Sequence, residues 1–279
     1  MGPKPLTVHR GAACDGAAPR DFDAPLRPHT SRPAMSRRGF LAGTLGLMGA
    51  LAASGCSWDA PAQKDLASYS WEELSRMAQA ISAAKDAASA ATIAQGYGLV
   101  DQEGRLDATP RPVAIDGVEV PFGLAGILHD PKADGTGMAG LTFVALAAAG
   151  VSSYGDTASE SWADSVARTH LAENILPGLP DDLPQLIVPV RKAYRNDAGA
   201  LESCEDSLWL LSDAEINING RPDLPATGTL YEGFAHDPSY GRPWKGTPEP
   251  WWTRDGSLVG YSGTPKLTEP AALVPAFCL

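Results

Sequence analysis

Apolar residues recur at helical spacing after Ser70 and predict the first helix of the folded part. Ser70 and Glu73 have the spacing of a capping box, in which each side chain accepts a hydrogen bond from the other residue's backbone N–H. We expect one helix from Ser70 to about Gln95, ended by Gly96 and Gly98. The apolar positions on its buried face are Trp71, Leu74, Met77, Ala78 and Ile81.

Strand-like patterns follow from Arg111. Apolar residues at 113–115 and 118–120 flank Asp116-Gly117, which predicts a hairpin with a type I′ turn. Further apolar runs that predict strands are 123–128, 141–144, 186–190, 208–211 and 272–279. Helical spacing returns over 161–175, and Ser212 with Glu215 offers a second capping box. Short antiparallel strands, two or three helices and long irregular loops indicate an α+β fold.

The N-terminal region has the pattern of an export signal. Adjacent Arg37 and Arg38 precede Phe40 and Leu41, and the apolar run 40–53 is shorter than the roughly 20 residues that a membrane-spanning helix needs. This combination predicts a twin-arginine signal peptide over 35–55. Residues 1–34 show neither helical nor strand period, so we expect them to be unstructured or an extension upstream of the true start.

The end of that apolar run, Ala-Ser-Gly followed by Cys56, is similar to the lipobox of bacterial lipoproteins, with Ala53 where Leu is usual. Diacylglycerol on Cys56 would supply the two acyl chains that lasting membrane attachment needs. The alternative is ordinary signal cleavage with Cys56 unmodified. We expect a spacer over 56–69 and a single domain over 70–279, anchored to the outer face of the cytoplasmic membrane.

Charge and cysteine content restrict the partners of the exported part. Residues 56–279 contain 15 Lys and Arg against 30 Asp and Glu, a net charge of −15, which disfavours nucleic-acid binding. Beyond Cys56, only Cys204 and Cys278 remain. They form either a disulfide, which persists outside the cytoplasm, or two buried free thiols.

Motifs for catalysis, metals and cofactors are absent from the sequence. The loop 129–137 lacks the alternating acids of an EF-hand and indicates an Asp/Gly turn. His129, His170 and His236 have no metal-ligand spacing, and no nucleophile elbow, P-loop or dinucleotide fingerprint occurs. We therefore predict no cofactor, no metal and no catalytic residues.

Aromatic residues crowd one irregular segment near the C-terminal end. They either present flat faces to a ligand such as a sugar ring, or fill the core of a loop-rich domain. The candidate ligand-binding residues are Tyr231, Trp244, Trp251, Trp252 and Arg254, with Tyr240 nearby.

Several blocks in the same order resemble a family of bacterial surface and lipoprotein domains known as domain of unknown function 6273. The blocks, spread over most of residues 70–279, are SWEEL, GYGLVDQEGRLD, HDPKADGTGMAGLTF, the spaced residues Trp162, Ser165, Arg168 and Leu171, ILPGLPDDL, IVPVRKAY, DSLWLLSDAEI, WWTRDGS and PAFCL. The C-terminal blocks are similar to the C-type-lectin-like fold shared with formylglycine-generating enzymes. That enzyme's activity does not transfer, because its copper-binding cysteine pair has no counterpart. Asp255-Gly256 departs from the family's usual Ser-Pro.

The resemblance and the residues together imply a C-type-lectin-like α+β module, lipid-anchored outside the cytoplasm. We expect its aromatic segment to contact a glycan or a surface protein, with the membrane reached only through the anchor. The alternatives are an extracytoplasmic enzyme with unrecognised catalytic residues and a structural envelope protein.

Overall fold

Two helices begin the part of the chain that the structure describes. The computed structural model describes residues 64–157, 161–216, 226–236 and 250–279. After a 3-10 turn (Leu66–Ser68), helix α1 (Trp71–Ser82) begins at the predicted capping box, in which Glu73 N donates to Ser70 Oγ over 3.1 Å and Ser70 N donates to Glu73 Oε2 over 2.7 Å. The capping box is therefore confirmed.

The prediction of one continuous helix to Gln95 is wrong, because the chain breaks after α1 and helix α2 spans Ala87–Gly96. Asp86 is extended and its side chain accepts a hydrogen bond from Ser89 N over 2.8 Å. An Asp that caps a new helix offers the backbone an alternative to continuing the old one.

A five-stranded sheet contains the predicted hairpin. Strand β1 (Arg111–Ile115) pairs antiparallel with β2 (Val118–Ile127) across Asp116 and Gly117, whose φ values of 48° and 79° are those of a type I′ turn. The hairpin is confirmed. The apolar run 123–128 is not a separate strand, because β2 continues to Ile127.

The remaining strands of this sheet come from distant parts of the sequence. They are β3 (Leu141–Ala145), β7 (Trp209–Leu210) and β11 (Pro275–Cys278), in the order β1-β2-β3-β11-β7. The run 272–279 was predicted as one strand, which is wrong, because β10 (Pro270–Leu273) belongs to a second sheet. All residues from Ala271 to Leu279 are buried, so the apolar pattern does not mark the change of sheet.

The second sheet has four strands and a separate hairpin has two. The four are β4 (Gly150–Ser153), β10, β8 (Trp251–Trp252) and β9 (Leu258–Val259), in that order. Strand β5 (Val190–Arg195) pairs antiparallel with β6 (Leu201–Asp206). The run 186–190 is mostly not a strand, because Leu186 ends a 3-10 turn (Pro184–Leu186) and β5 begins only at Val190.

The helix predicted over 161–175 is divided into three pieces. A 3-10 turn (Trp162–Asp164) precedes α3 (Val166–His170), which continues as a π turn (Leu171–Ile175). Ser165 separates the first two pieces, because its side chain caps α3 by accepting from Arg168 N over 3.1 Å. Ala167 and Leu171 are buried, and α4 (Glu232–His236) is the last described helix.

The predicted α+β class is confirmed by these few short helices and small, mostly antiparallel sheets. Its core includes stacked Phe143 and Phe277, with the ring of Trp71 edge-on to both. None of the described helices has the length and apolar character to cross a membrane.

Candidate functional site

Four of the five candidate ligand-binding residues lie in the core. Tyr231 and Trp252 are 0% exposed, and Trp251 and Arg254 are 1% exposed. Their assignment as surface contacts is corrected, since they fill the interior. Trp252 Nε1, for example, donates to Ser152 O over 3.0 Å.

Other predicted functional residues lie outside the described residues. They are Trp244 of the aromatic segment, signal-peptide residues Arg37, Arg38, Phe40 and Leu41, and the lipid-attachment residue Cys56.

The two candidate disulfide cysteines are both buried free thiols, which corrects the disulfide alternative. They lie on different sheets, Cys204 in β6 and Cys278 in β11. Cys278 Sγ lies 3.2 Å from Thr142 Oγ1 and 3.6 Å from Asp130 Oδ2. Burial and the adjacent Asp130 raise the pKa of Cys278 well above its ordinary value, so it remains a protonated thiol.

Tyr231 and Arg254 belong to a cluster of charged groups that sequence analysis did not bring together. We call it the buried charge cluster; its members are Asp130, Lys192, Glu215, Tyr231 and Arg254. Lys192 Nζ lies at its centre and donates to Asp130 Oδ1 over 2.7 Å, to Glu215 Oε1 over 2.6 Å and to the Tyr231 hydroxyl over 3.2 Å. The three charged side chains in these contacts are at most 3% exposed.

Arg254 uses every N–H of its guanidinium within the protein. Its Nη atoms donate to both oxygens of Glu215 over 3.1 and 3.0 Å, and to the carbonyls of Leu210 and Thr227 over 2.6 and 2.8 Å. Nε donates to Ala193 O over 3.0 Å. An arginine has five such donors, so none is left for a ligand.

Asp130 connects the cluster to the five-stranded sheet. Its Oδ2 accepts from Thr142 Oγ1 of β3 over 2.6 Å, and both of its carboxylate oxygens accept from the Tyr231 hydroxyl, over 3.0 and 3.1 Å. The Tyr231 ring stacks on His129 with 3.8 Å between centroids. Gly126 permits this stack, since a Cβ there would lie 3.1 Å from the Tyr231 ring and 3.2 Å from the His129 side chain.

The two cations of the cluster favour the ionised form of its two carboxylates. Burial alone would raise the pKa of Asp130, but attraction to Lys192 lowers it below its ordinary value. The pKa of Glu215 is also lowered, because attraction to Arg254 and Lys192 outweighs burial. Burial and the neighbouring carboxylates raise the pKa of Tyr231 well above its ordinary value, so it stays neutral.

The groups of this cluster bind each other within the protein. Acid, base and thiol groups converge, but each is buried and paired with another group of the chain. Within the described ranges, no three His, Cys, Asp or Glu residues are grouped so that they could hold a metal ion.

Three charged members of the cluster, Asp130, Lys192 and Glu215, were not among the predicted site residues, although Lys192 and Glu215 each have a local sequence signal. Lys192 lies between Val190 and Tyr194 on the inward face of β5, where all three residues are buried. Glu215 was predicted to form a capping box with Ser212, and both hydrogen bonds are present, at 3.1 and 2.8 Å. Its carboxylate also binds Arg254, which the local pattern does not show.

The architecture is thus that of a mixed α+β domain with an internal ion network. Residues 146–268 of this chain match a family model described as "Domain of unknown function (DUF6273)". The predicted resemblance to that family is confirmed over this segment. Neither the curated proteins nor the solved structures compared with the chain give a match.

The matched segment and the buried charge cluster do not coincide. Lys192, Glu215, Tyr231 and Arg254 lie within 146–268, whereas Asp130 lies before it. Strands β1, β2, β3 and β11 also lie outside the match. The physical unit is therefore larger than the matched segment.

Proposed function

We propose that the protein is a lipid-anchored extracytoplasmic interaction module, not an enzyme, and that it contacts a glycan or surface partner through an exposed loop. The extracytoplasmic location is supported by the twin arginines Arg37 and Arg38, the short apolar run after them, and Cys56 at its end. The non-catalytic role is supported by the closed pairing of the buried charge cluster.

The proposed contact rests on the exposure of Tyr261. This residue is 50% exposed, while every other Tyr, Trp and Phe in residues 64–157, 161–216, 226–236 and 250–279 is buried. It lies in the loop between β9 and β10, where residues 260–264 are all exposed. Loops on a rigid scaffold are where binding residues concentrate.

The ring of Tyr261 lies close to Gly263 on one side. A Cβ at Gly263 would lie 3.0 Å from Tyr261 Cε1 and 3.4 Å from Cζ, so glycine leaves room for the ring on this side. The exposed part of such a ring can stack on a sugar or pack against an apolar side chain.

Tyr261→Ala is expected to weaken retention of the lipid-free 57–279 protein on cell-wall glycans, or on whole cells, by about tenfold, the equivalent of losing about 1.4 kcal/mol. Its free energy of unfolding should change by less than about 0.5 kcal/mol, since the residue is on the surface. Val118→Ala is the control, because Val118 is 65% exposed at the β1–β2 turn. Equal retention of both variants and the unmodified protein would refute the contact role.

The proposed location and lipid anchor can be tested by mass spectrometry of the mature protein. We expect cells that make the full chain to yield a product that begins at Cys56 and carries diacylglycerol. Cys56→Ser should abolish this modification, and globomycin should block the cleavage. A full-length, uncut polypeptide in the cytosol would contradict the proposed localisation.

A structural envelope protein is the second candidate, and the burial of Tyr231, Trp251 and Trp252 favours it. Such a protein needs a stable folded domain attached to the membrane, but it needs no exposed aromatic side chain for binding. The Tyr261 variant separates the two candidates, because a purely structural role does not depend on this side chain.

A further inference from the structure

Strand β6 has one edge without a neighbouring strand. It forms a two-stranded sheet with β5 alone. Beside the turn of this hairpin, Asn196 N donates to Ala200 O over 2.9 Å. Hydrogen-bonded pairs alternate with non-bonded pairs along an antiparallel ladder, so every second residue of β6 directs its N–H and C=O away from β5. These outward residues are Leu201, Ser203 and Glu205.

Two hydrogen bonds agree with this alternation. Arg191 of β5 lies opposite Glu205, and its N–H points away from β6 and donates to Pro131 O over 2.9 Å. Glu205 O points away from β5 and accepts from Arg168 Nη2 over 3.1 Å. Arg168 therefore occupies the place that an N–H of a further strand would take, and the edge is open from Leu201 to Ser203.

The open edge is exposed to solvent. Leu201 is 52% exposed, and Glu202 and Ser203 are exposed as well. Within the described ranges, no group from outside this hairpin hydrogen-bonds to the backbone of Leu201 or Ser203. The outer edge of β1 differs, because it contains Pro112, which has no N–H to offer. An open strand edge beside an exposed apolar side chain is a surface to which an extended peptide can add as a further strand.

Glu202 gives this edge a negative charge. Its carboxylate oxygens accept from the Tyr194 hydroxyl over 2.8 Å and from Asn196 Nδ2 over 2.6 Å, and both donors are neutral. The net charge of residues 56–279 is also negative. Both charges attract a cationic segment, and the net charge repels a second copy of this chain.

The two arginines of β5 are directed to other partners. Arg195 Nη1 donates to Gly199 O in the turn over 2.7 Å. Arg191 Nη2 donates to Ala133 O over 2.9 Å. Among the ion pairs of the described residues, none joins either arginine to Glu202. The carboxylate of Glu202 is therefore available to a cation of a partner.

We propose that the outer edge of β6 binds an extended cationic peptide segment, which adds to the hairpin as a third strand. Antiparallel addition is the more stable arrangement per residue. It places a Lys or Arg opposite Glu202, an apolar side chain opposite Leu201 and a Thr opposite Ser203, and such pairs stabilise adjacent strands. This site goes beyond the function proposed above and shares no residue with the loop that contains Tyr261, so each of the two can be refuted without the other.

The probe is the peptide acetyl-Gly-Thr-Lys-Val-Thr-amide, which has these side chains in antiparallel order. Added to the 57–279 protein, it should bind with a Kd on the order of 1 mM and shift the amide NMR signals of Leu201 and Ser203, because their N–H groups gain acceptors. The same peptide with Glu in place of Lys should bind about tenfold more weakly, since repulsion replaces attraction. Equal binding of the two peptides, or no shift at residues 201–203, would overturn the proposal.

Ser203→Pro tests the backbone contact. Proline removes the outward N–H but none of the hydrogen bonds between β5 and β6, so the hairpin should persist, as urea unfolding will show. Binding of the Lys peptide should weaken about tenfold. Ser203→Ala is the matched control, because it keeps the N–H and should bind as the unchanged protein does. Equal binding by the proline variant would refute strand addition.

Glu202→Gln tests the charge and does not depend on the proline variant being folded. The amide can still bond to Tyr194 and Asn196, but the preference for the Lys peptide over the Glu peptide should disappear. A preference that persists would contradict the assigned role of Glu202. Tyr261→Ala should bind the Lys peptide as tightly as the unchanged protein, whereas weaker binding would assign the peptide to the Tyr261 loop and overturn the β6 site.

Discussion

Arg254→Met is expected to lower the free energy of unfolding by about 3–5 kcal/mol, the typical effect of removing one partner from a buried ion pair. The change leaves Glu215 with Lys192 as its one remaining cation in the cluster, and it deprives the carbonyls of Ala193, Leu210 and Thr227 of their donor. Urea unfolding followed by fluorescence measures the loss. Folded domains are stable by about 5–15 kcal/mol, so a loss of this size removes a substantial part of the stability.

Arg76→Met is the matched control for that variant. Arg76 is also an arginine paired with a glutamate, Glu72, but its side chain is 49% exposed on α1. An exposed helical pair of this kind contributes about 0.3–0.5 kcal/mol. Similar losses in the two variants would show that the interior position of Arg254 does not matter.

A fragment limited to the family match, residues 146–268, is expected not to fold. It lacks α1, α2 and four of the five strands of the larger sheet, keeping only β7. It also lacks β10, the strand that joins β4 to β8. Lys192 would lose Asp130, and the apolar face that the missing strands cover would be exposed to water.

The comparison protein for this experiment is the chain from residue 64 to 279. Its urea transition should be cooperative and its amide proton spectrum dispersed, whereas the 146–268 fragment should show neither. A cooperative transition in the shorter fragment would show that the matched segment is a complete domain. The claim that the folding unit extends beyond residues 146–268 would then be wrong.

Local features of the fold were predictable because their signals lie within a few residues. The capping box of Ser70 and Glu73 and the type I′ turn at Asp116-Gly117 each depend on side chains or φ values at adjacent positions. The break between α1 and α2 was missed, although Asp86 is a typical cap residue, because the alanine-rich sequence around it continues the helical pattern.

The candidate site was not predictable in the same way, because its members are far apart in sequence. Asp130 and Lys192 are 62 positions apart, and Glu215 and Arg254 are 39 apart. No periodicity connects such pairs. The signals that a single sequence offers are local: a charged residue at an inward strand position, such as Lys192, and the capping box that contains Glu215.

The aromatic segment shows a second limit of sequence reasoning. Trp251 and Trp252 are adjacent in β8, and yet both are buried. Adjacent strand residues point to opposite faces, so a strand covered on both sides buries both. Composition alone does not distinguish this from an exposed binding platform, and Tyr261 was not among the candidates.

If the buried charge cluster stabilises the fold, the charges of Arg254 and Glu215 must depend on each other. A double-mutant cycle measures this coupling, using Arg254→Met, Glu215→Gln and the double variant in urea unfolding. We predict a coupling energy of about 1.5–3 kcal/mol, so that the double variant loses clearly less than the sum of the two single losses. If the two single losses of unfolding free energy add up to the double loss to within about 0.5 kcal/mol, the two charges are independent and do not stabilise the fold through each other.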